Sequence, residues 1–325
     1  ERPQKEGVVM LGNRLEKNQK QLARHLEAEQ ISCYRLYDAD IPQYAAAIDV
    51  YGSVAGETWA VLQEYAPPKT VDPSAAAQRL GELQEATTAF LEIPETQLIT
   101  KRRSRQRGRS QYTPSKSGRS AAFTVVEDEL LFEVNLSDYI DTGLFLDARQ
   151  LRSMVATEAA GKRFLNLFSY TCTASVYAAA EGASTVSVDT SNTYLSWGQR
   201  NFALNRLNLS GHRFVREDCM EYLRGDSRRF DVILIDPPTF SNRKGRDNDF
   251  DVQRDHSRLI RLAFQRLAPE GTLFFSTNFR KFTLDSAVER EFSVTQLSEE
   301  VLPPDFSRRK GFRSTWKLVA RSDSE

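Results

Sequence analysis

The chain has 325 residues and carries 44 basic and 44 acidic side chains, so its formal net charge of zero indicates no class of partner. Its composition is typical of a globular protein, with neither an apolar run of membrane-spanning length nor a signal-peptide pattern. The length is sufficient for two domains.

The three cysteines are far apart in the sequence, and the three histidines form no ligand cluster. Without a CxxC pair or metal-ligand spacing, the sequence predicts a reducing, cytoplasmic location and no bound metal. The chain begins with Glu1 rather than Met, which suggests a piece of a longer protein.

Residues 1–100 predict a small α+β domain. An amphipathic helix is expected over residues 12–30, where leucines recur on one edge among charged residues. Three short apolar runs separated by turn residues predict an antiparallel sheet, and a second helix follows. These elements lie at residues 33–37, 46–51, 59–65 and 75–91. We find no catalytic pattern here, and the strongly basic segment that follows favours an accessory, nucleic-acid-binding role.

The next segment, residues 101–122, is a strongly basic loop. A charge run is usually a solvated face, but one this dense predicts contact with a phosphate backbone. Further basic runs lie at residues 308–310 and 243–246, and the latter follows Phe240, beside the presumed chemistry. The predicted RNA-binding residues are Lys101, Arg102, Arg103, Arg105, Arg107, Arg109, Arg243, Lys244 and Arg246.

Residues 123–325 are predicted to form a hairpin followed by an α/β domain. Two β-rich runs flank residues 127–129, a hairpin signal. Asp147 is a plausible N-cap for the next helix. The domain then predicts a strand at 164–168, a polar loop, a helix at 174–181 and a strand that ends in Asp189.

An acid about 20 residues after such a loop can accept hydrogen bonds from both ribose hydroxyls of a nucleotide-like cofactor. The loop lacks the G-x-G-x-x-G fingerprint that brings backbone against a pyrophosphate, which argues against NAD or FAD. Its absence is compatible with S-adenosylmethionine, which has no phosphate. Asp218 follows a third predicted strand and could accept from an adenine amino group.

Residues 230–240 predict the central strand and the loop at which chemistry occurs. Residues 232–235 are a β-branched apolar run, and Asp236 follows where the strand leaves the sheet. Pro237 and Pro238 fix φ and donate no hydrogen bonds, leaving carbonyls free beside the carboxylate and Phe240. Asp-Pro-Pro alone more often marks a simple proline turn. The functional interpretation is a site that holds a planar, amine-bearing base beside a bound cofactor, and the rest of the chain decides between the two.

The last part of the chain predicts helices at 257–267 and 284–292 and strands at 272–278, 294–297 and 311–319, with a turn at residues 269–271. Alternation of apolar and polar residues in the last strand favours an antiparallel hairpin at the sheet edge.

The motifs together resemble those of the class I S-adenosylmethionine-dependent RNA methyltransferases, which implies an α/β fold with a Rossmann-like sheet. They lie at residues 166–171, 188–191, 217–218 and 236–240. Residues 141–149 resemble the segment before the catalytic domain of the large-subunit rRNA methyltransferases. Residues 33–40 and 63–70 are similar to the C-terminal half of the bifunctional 23S rRNA guanine methyltransferases. In that family this half forms N7-methylguanosine, and a second methyltransferase fused in front forms N2-methylguanosine.

The resemblance implies S-adenosylmethionine as cofactor, 23S rRNA or a ribosome assembly intermediate as partner, and a possible fused N-terminal methyltransferase. It implies that Asp189 holds the ribose and Asp218 the adenine. The full implied cofactor set is Asn166, Phe168, Ser169, Tyr170, Thr171, Asp189, Asp218, Cys219, Asp236, Phe145 and Arg149, and the implied catalytic set is Asp236, Pro237, Pro238 and Phe240.

The target atom is predicted by comparing what each reaction requires. Methylation of cytosine C5 needs a cysteine nucleophile, but Thr239 follows the prolines and Cys219 is interpreted as structural. Methylation of an exocyclic amine usually pairs Asp-Pro-Pro with an aromatic directly after it, and here Thr239 intervenes. Guanine N7 has an in-plane lone pair and no proton to lose, so it requires mainly positioning.

The N7 edge of a paired guanine faces the deep groove of A-form RNA, so we expect an unpaired or flipped guanine, stacked on Phe240 or a neighbouring aromatic. Transfer to N2 of guanine, N6 of adenine or C5 of cytosine remains open. So do an NAD-dependent dehydrogenase and a non-catalytic RNA-binding module.

Overall fold

The computed structural model describes residues 6–65, 72–102, 121–225, 227–241, 250–308 and 311–321. The chain divides into two compact units. The first consists of Glu1–Leu146 and Pro304–Arg309, and the second of Asp147–Pro303 and Lys310–Glu325. The hairpin that sequence analysis grouped with the catalytic domain therefore falls within the first unit, and a short late segment returns to that unit.

The first unit is an α+β arrangement around a four-stranded sheet of order β1-β2-β3-β4. The strands β1 to β3 are antiparallel, as predicted, whereas β4 runs parallel to β3. Sequence analysis missed β4, because basic residues in this edge strand hide the apolar pattern. The elements are α1 (Glu6–Ala28), β1 (Cys33–Asp38), β2 (Ala46–Gly52), β3 (Thr58–Glu64), α2 (Pro73–Leu91), β4 (Leu98–Arg102), β5 (Ala122–Glu127) and β6 (Leu130–Asn135).

Two sequence features explain local structure in this unit. The leucines of α1 recur at helical spacing and are buried, so the helix packs its apolar edge into the core. The β5–β6 hairpin was predicted correctly, and Glu127 pairs with Leu130 across a two-residue turn. Asp128 and Glu129 both have positive φ, as a tight hairpin turn that follows the strand twist requires.

The segment Pro304–Arg309 joins the first unit through a buried charge cluster around β1. Asp305 Oδ2 accepts from the backbone N–H of Arg35 at 2.9 Å. Arg308 donates to the carbonyls of Arg35 and Leu36 at 2.8 and 3.0 Å. Arg308, part of a basic run in the sequence, therefore satisfies carbonyls inside the fold.

The second unit is built on a seven-stranded sheet of order β14-β15-β13-β10-β7-β8-β9. The strands from β13 to β9 in that order are parallel, and β15 is antiparallel to both β13 and β14. The elements are α3 (Arg149–Ala159), β7 (Arg163–Leu167), α4 (Thr173–Ala180), β8 (Ser184–Asp189), α5 (Asn192–Leu204), β9 (His212–Arg216), α6 (Cys219–Gly225), β10 (Phe230–Ile235), β11 (Phe240–Ser241), β12 (Phe250–Asp251), α7 (Val252–Phe264), β13 (Leu267–Thr277), α8 (Ser286–Glu291), β14 (Phe292–Gln296) and β15 (Ser314–Ala320).

The predicted α/β fold is confirmed, and one local prediction was wrong. Residues 269–271 lie inside β13: Leu267 pairs with Phe230 and Thr272 with Val232, so the intervening residues bulge out of register. The predicted antiparallel hairpin at the sheet edge is confirmed: β14 and β15 pair in antiparallel fashion, and β14 is the outermost strand.

No helix in the described part of the chain is long and apolar enough to cross a membrane.

Candidate active site

The chain reverses its winding direction between β7 and β10. From β7 it proceeds outward to β8 and β9, and from β10 it proceeds the opposite way to β13. These central strands are paired in parallel, with Leu167 beside Ile235 at their carboxyl ends. In open α/β sheets ligands bind in the crevice at such a switch point. The loop after β7, Asp189 at the end of β8 and Asp236 after β10 all lie at this edge.

The loop after β7 holds an unusual backbone conformation without any glycine. Phe168, Tyr170 and Cys172 have φ of 56°, 51° and 59°, in the left-handed region that side chains rarely adopt. Such strain persists only where surrounding contacts maintain it, and it is common at ligand sites. Sequence analysis did not foresee it, because no glycine marks these positions.

Neighbouring elements hold the loop from several sides. The Phe168 N–H donates to Cys219 Sγ at 3.2 Å, and the Ser169 N–H donates to the Val188 carbonyl at 3.0 Å. Asn201, buried on α5, donates its amide to the carbonyl of Thr171 at 3.0 Å. The loop is thus fixed before any ligand binds, which lowers the entropic cost of binding.

Asp189 lies where the sequence predicted a ribose-binding acid. Its two carboxylate oxygens accept from the backbone N–H groups of Tyr170 and Ser191, each at 2.9 Å. Burial raises the pKa of Asp189, and the backbone hydrogen bonds oppose this rise. Because a carboxylate has about four acceptor positions, the half-buried group retains capacity for the two hydroxyls of a ribose.

Asp218 and Cys219 have structural contacts at the end of β9. Asp218 Oδ1 accepts from the backbone N–H groups of Met220 and Glu221, at 3.0 and 3.2 Å, and so caps α6. Cys219 is buried and accepts from the backbone N–H of Phe168 in the loop after β7, which agrees with its interpretation as structural. An adenine contact by Asp218 stays a prediction.

Asn166 and Arg149 are also buried. The Asn166 amide donates to Ser175 Oγ at 2.9 Å, and Ser175 and Ser187 hydroxyls lie 2.7 Å apart, so this polar chain ties β7 to α4 and β8. Arg149 begins α3. Phe145 belongs to the first unit, and its pocket role stays a prediction.

Asp236 forms part of a buried charge cluster that sequence analysis missed. Arg313, which precedes β15, donates from Nη1 to Asp236 Oδ1 at 2.6 Å and from Nε to Asp147 Oδ2 at 2.7 Å. Asp147 was predicted as a helix N-cap, which is wrong: Ala148 occupies that position and makes no side-chain cap bond. The carboxylate of Asp147 is instead an ion-pair partner inside the unit.

Phe240 is presented to solvent beyond the prolines, in β11. Its side chain is 63% exposed, although it is large and apolar. Phe279, which follows β13, lies edge to face with it, with ring centroids 6.4 Å apart. Pro237 is buried and Pro238 exposed. An exposed ring beside a rigid loop is suited to stacking on a planar base.

The predicted basic contacts are only partly within the described residues. Lys101 Nζ donates to the carbonyls of Tyr139 and Ile140 at 2.9 and 2.8 Å, and burial lowers its pKa to about 8. Its ammonium group therefore stabilises its own unit. Arg102 belongs to β4. The remaining predicted contacts lie outside the described residues, namely Arg103, Arg105, Arg107, Arg109, Arg243, Lys244 and Arg246.

Gly198 on α5 makes room for the strained loop. A Cβ at this position would meet Cys172 Sγ and lie 2.8 Å from Cys172 Cβ. We expect Gly198→Ala to lower the free energy of unfolding by about 1–3 kcal/mol through overpacking. The double variant with Cys172→Gly should recover most of this loss, because glycine both removes the clash and accepts the positive φ.

Denaturant unfolding measures this coupling. Gly225→Ala is the matched control, because a Cβ there would meet nothing within 4 Å. A Gly198→Ala protein as stable as the wild type, or additive effects in the double variant, would contradict the proposed contact.

In the part of the chain that the structure describes, no group of three or more His, Cys, Asp or Glu side chains is arranged so that it could hold a metal ion.

Residues 64–308 match the family model described as S-adenosylmethionine-dependent methyltransferase. The chain is 48% identical over 97% of its length to a ribosomal RNA large subunit methyltransferase K/L of Pseudomonas aeruginosa, and 51% identical over 94% to the protein of that name from Chromohalobacter salexigens. These alignments span 43% and 41% of the relatives' lengths.

Solved structures with the same fold are also similar to this chain. A putative SAM-dependent methyltransferase from Streptococcus mutans superposes with a TM-score of 0.73 at 24% identity, covering 96% of this chain and 81% of that one. A crystal structure of a putative methyltransferase complexed with SAH gives a TM-score of 0.74 at 24% identity, covering 96% of this chain and 82% of the other.

Proposed function

Because this chain belongs to the S-adenosylmethionine-dependent methyltransferase family, we propose that it transfers a methyl group to N7 of a guanine in large-subunit (23S) ribosomal RNA. The observation that carries the proposal is the common edge of β7, β8 and β10. It combines a strained loop, an acid suited to a ribose and a second acid, Asp236, which precedes the exposed ring of Phe240 by four residues. The rRNA substrate is supported by the 48% identity to the large-subunit rRNA methyltransferase of P. aeruginosa.

The residues at this edge fit the cofactor. Asp189 has acceptor capacity left for ribose hydroxyls, and the loop Phe168–Thr171 is held in a fixed shape beside it. S-adenosylmethionine, when bound, supplies an electrophilic methyl group. Asp236 and the prolines would border that group, and Asp218 with Cys219 would form the adenine end.

The N7 assignment rests on the chemistry that the site can support. Guanine N7 attacks with a lone pair and loses no proton, so the base must be oriented for in-line attack. Methylation at N7 turns the neutral base into a cation, which the carboxylate of Asp236 would stabilise as charge develops. Phe240 would stack on the unpaired base and set its plane.

The basic residues after β4 and β11 are proposed to contact the RNA backbone. We further propose that the chain acts as the C-terminal half of a longer enzyme that carries a second methyltransferase in front, in the cytoplasm. The relatives' greater length is compatible with this arrangement.

The test is transfer from methyl-labelled S-adenosylmethionine to large-subunit rRNA that lacks its modifications, followed by nucleoside analysis. We expect label in 7-methylguanosine. Label in N2-methylguanosine, N6-methyladenosine or 5-methylcytidine would still show methyl transfer to RNA but would contradict N7 of guanine as the target atom. Cofactor binding without transfer to any RNA would favour an RNA-binding module.

A further inference from the structure

Arg313 connects the ends of three neighbouring strands in the second unit. It directly precedes β15 and is only 4% exposed to solvent. It donates to Asp236 after β10 and, at 2.9 Å, to Ser276 Oγ near the end of β13. Its Nε donates to Asp147, ahead of α3. A guanidinium has rigid, planar donors, so partners on several sides fix its orientation.

The same contacts fix Asp236. Its carboxylate would otherwise rotate at the end of the strand, but a 2.6 Å charge-assisted bond to Arg313 holds one oxygen. The side chain of Asp236 is still 26% exposed, compared with 4% for Arg313. Arg313 is therefore behind the carboxylate, and the carboxylate is the member of the pair that a ligand can reach.

The charged groups acting on Asp236 come from each surrounding element. Asp147 lies ahead of α3, Arg152 is on α3, and Arg313 is ahead of β15. Burial raises the pKa of Asp236, Arg313 and Arg152 lower it, and Asp147 raises it. Loss of the guanidinium would therefore favour protonation of Asp236 at a higher pH.

We propose that Arg313 is a positioning residue for methyl transfer, which holds the charged Asp236 carboxylate in one orientation at the reacting base through its bonds to Asp147 and Ser276. The inference rests on the proposed function and adds a residue that does not touch the substrate. It predicts that Arg313 acts on the transfer step through Asp236 and leaves cofactor binding at Asp189 intact.

Arg313→Gln removes the charge and Arg313→Lys keeps it without the forked geometry. We expect Arg313→Gln to reduce kcat about 100-fold, as misplacement of a reacting group does, and to move the acidic limb of the pH–rate profile to higher pH. Arg313→Lys should return that limb toward its wild-type position while kcat stays reduced. The dissociation constant for S-adenosylmethionine should change less than about threefold in both.

Lys317→Gln is the matched control, because Lys317 lies on β15, the strand that Arg313 precedes, and forms an ion pair with Glu158 on α3 at 2.8 Å. It should lower stability without moving the acidic limb. Asp147→Asn provides a second test, should Arg313→Gln fail to fold: it keeps an acceptor for Nε, and we expect a smaller loss of kcat with cofactor affinity intact.

The measurements are kcat, KM for RNA and the pH–rate profile, with calorimetry for the cofactor. The positioning role would be overturned if the acidic limb of the Arg313→Gln profile stayed at its wild-type pH. It would also be overturned if Lys317→Gln lost as much kcat as Arg313→Gln. If Asp147→Asn folds and Arg313→Gln does not, an unchanged kcat in Asp147→Asn would overturn the positioning role. If the wild-type protein methylates an atom other than N7, the same kinetic comparison still tests the role of Arg313. If it methylates no RNA, both the proposed function and this inference are wrong.

Discussion

Replacing Asp189 with alanine should weaken S-adenosylmethionine binding about 100-fold. The carboxylate is expected to accept from ribose hydroxyls, and a hydrogen bond to a charged group contributes about 1.5–3 kcal/mol, or roughly a factor of 10 to 150. The substitution also removes the acceptor for the Tyr170 and Ser191 N–H groups, which loosens the strained loop. Isothermal titration calorimetry measures the change directly.

The control is Asp231→Ala. Asp231 lies in β10 at the opposite, amino-terminal end of the sheet and pairs with the exposed Arg163. We expect cofactor affinity to be unchanged in this variant, and an intermediate loss in Asp189→Asn, which keeps one carbonyl oxygen. Equal affinities of the wild type and Asp189→Ala would remove Asp189 from the site.

Replacing Phe240 with alanine should reduce kcat/KM for RNA by roughly 5- to 150-fold, because base–aromatic stacking contributes about 1–3 kcal/mol. Its side chain is 63% exposed, so little core packing is lost and the fold should remain stable. Cofactor affinity should remain unchanged, since the ring lies beyond the loop that borders the methyl group. Steady-state kinetics and calorimetry together separate the two effects.

Two further variants sharpen this result. Phe240→Tyr keeps the ring and should retain most of the activity. Leu209→Ala removes another exposed apolar side chain from the same unit, 45% exposed, and should have no effect. A Phe240→Ala protein that methylates RNA at the wild-type rate would exclude the stacking role.

Sequence analysis correctly placed at the sheet edge those acids whose position follows from the residues just before them in the sequence. Asp236 directly follows the apolar run of β10, and Asp189 ends β8, in which two valines alternate with Thr185 and Ser187, so both strands can be recognised from the sequence. The order of the strands then brings both acids to one edge.

Arg313 could not be found in this way. Its partner Asp236 lies 77 residues earlier, and only the adjacency of β10, β13 and β15 brings the two together. An isolated arginine before an edge-like strand carries no local signal. Asp147 was misjudged for the same reason, because its position before a helix favours a cap more strongly than a distant ion pair.

The conformation of the cofactor loop was hidden for a different reason. Left-handed residues are normally marked by glycine, and Phe168, Tyr170 and Cys172 adopt positive φ only because tertiary contacts compensate. Gly198 allows one of these contacts, because its lack of a side chain leaves room for Cys172. It lies on α5, 26 residues after Cys172 in the sequence.

The most direct test of the central claim uses RNA transcripts in which guanosine is replaced by 7-deazaguanosine. This base keeps the N2 amine and the stacking surface, but a C–H group replaces N7 and removes the attacking lone pair. We predict that the protein transfers label from S-adenosylmethionine to the guanosine transcript and none to the 7-deaza transcript, while binding both. Equal labelling of the two transcripts would contradict methylation at N7.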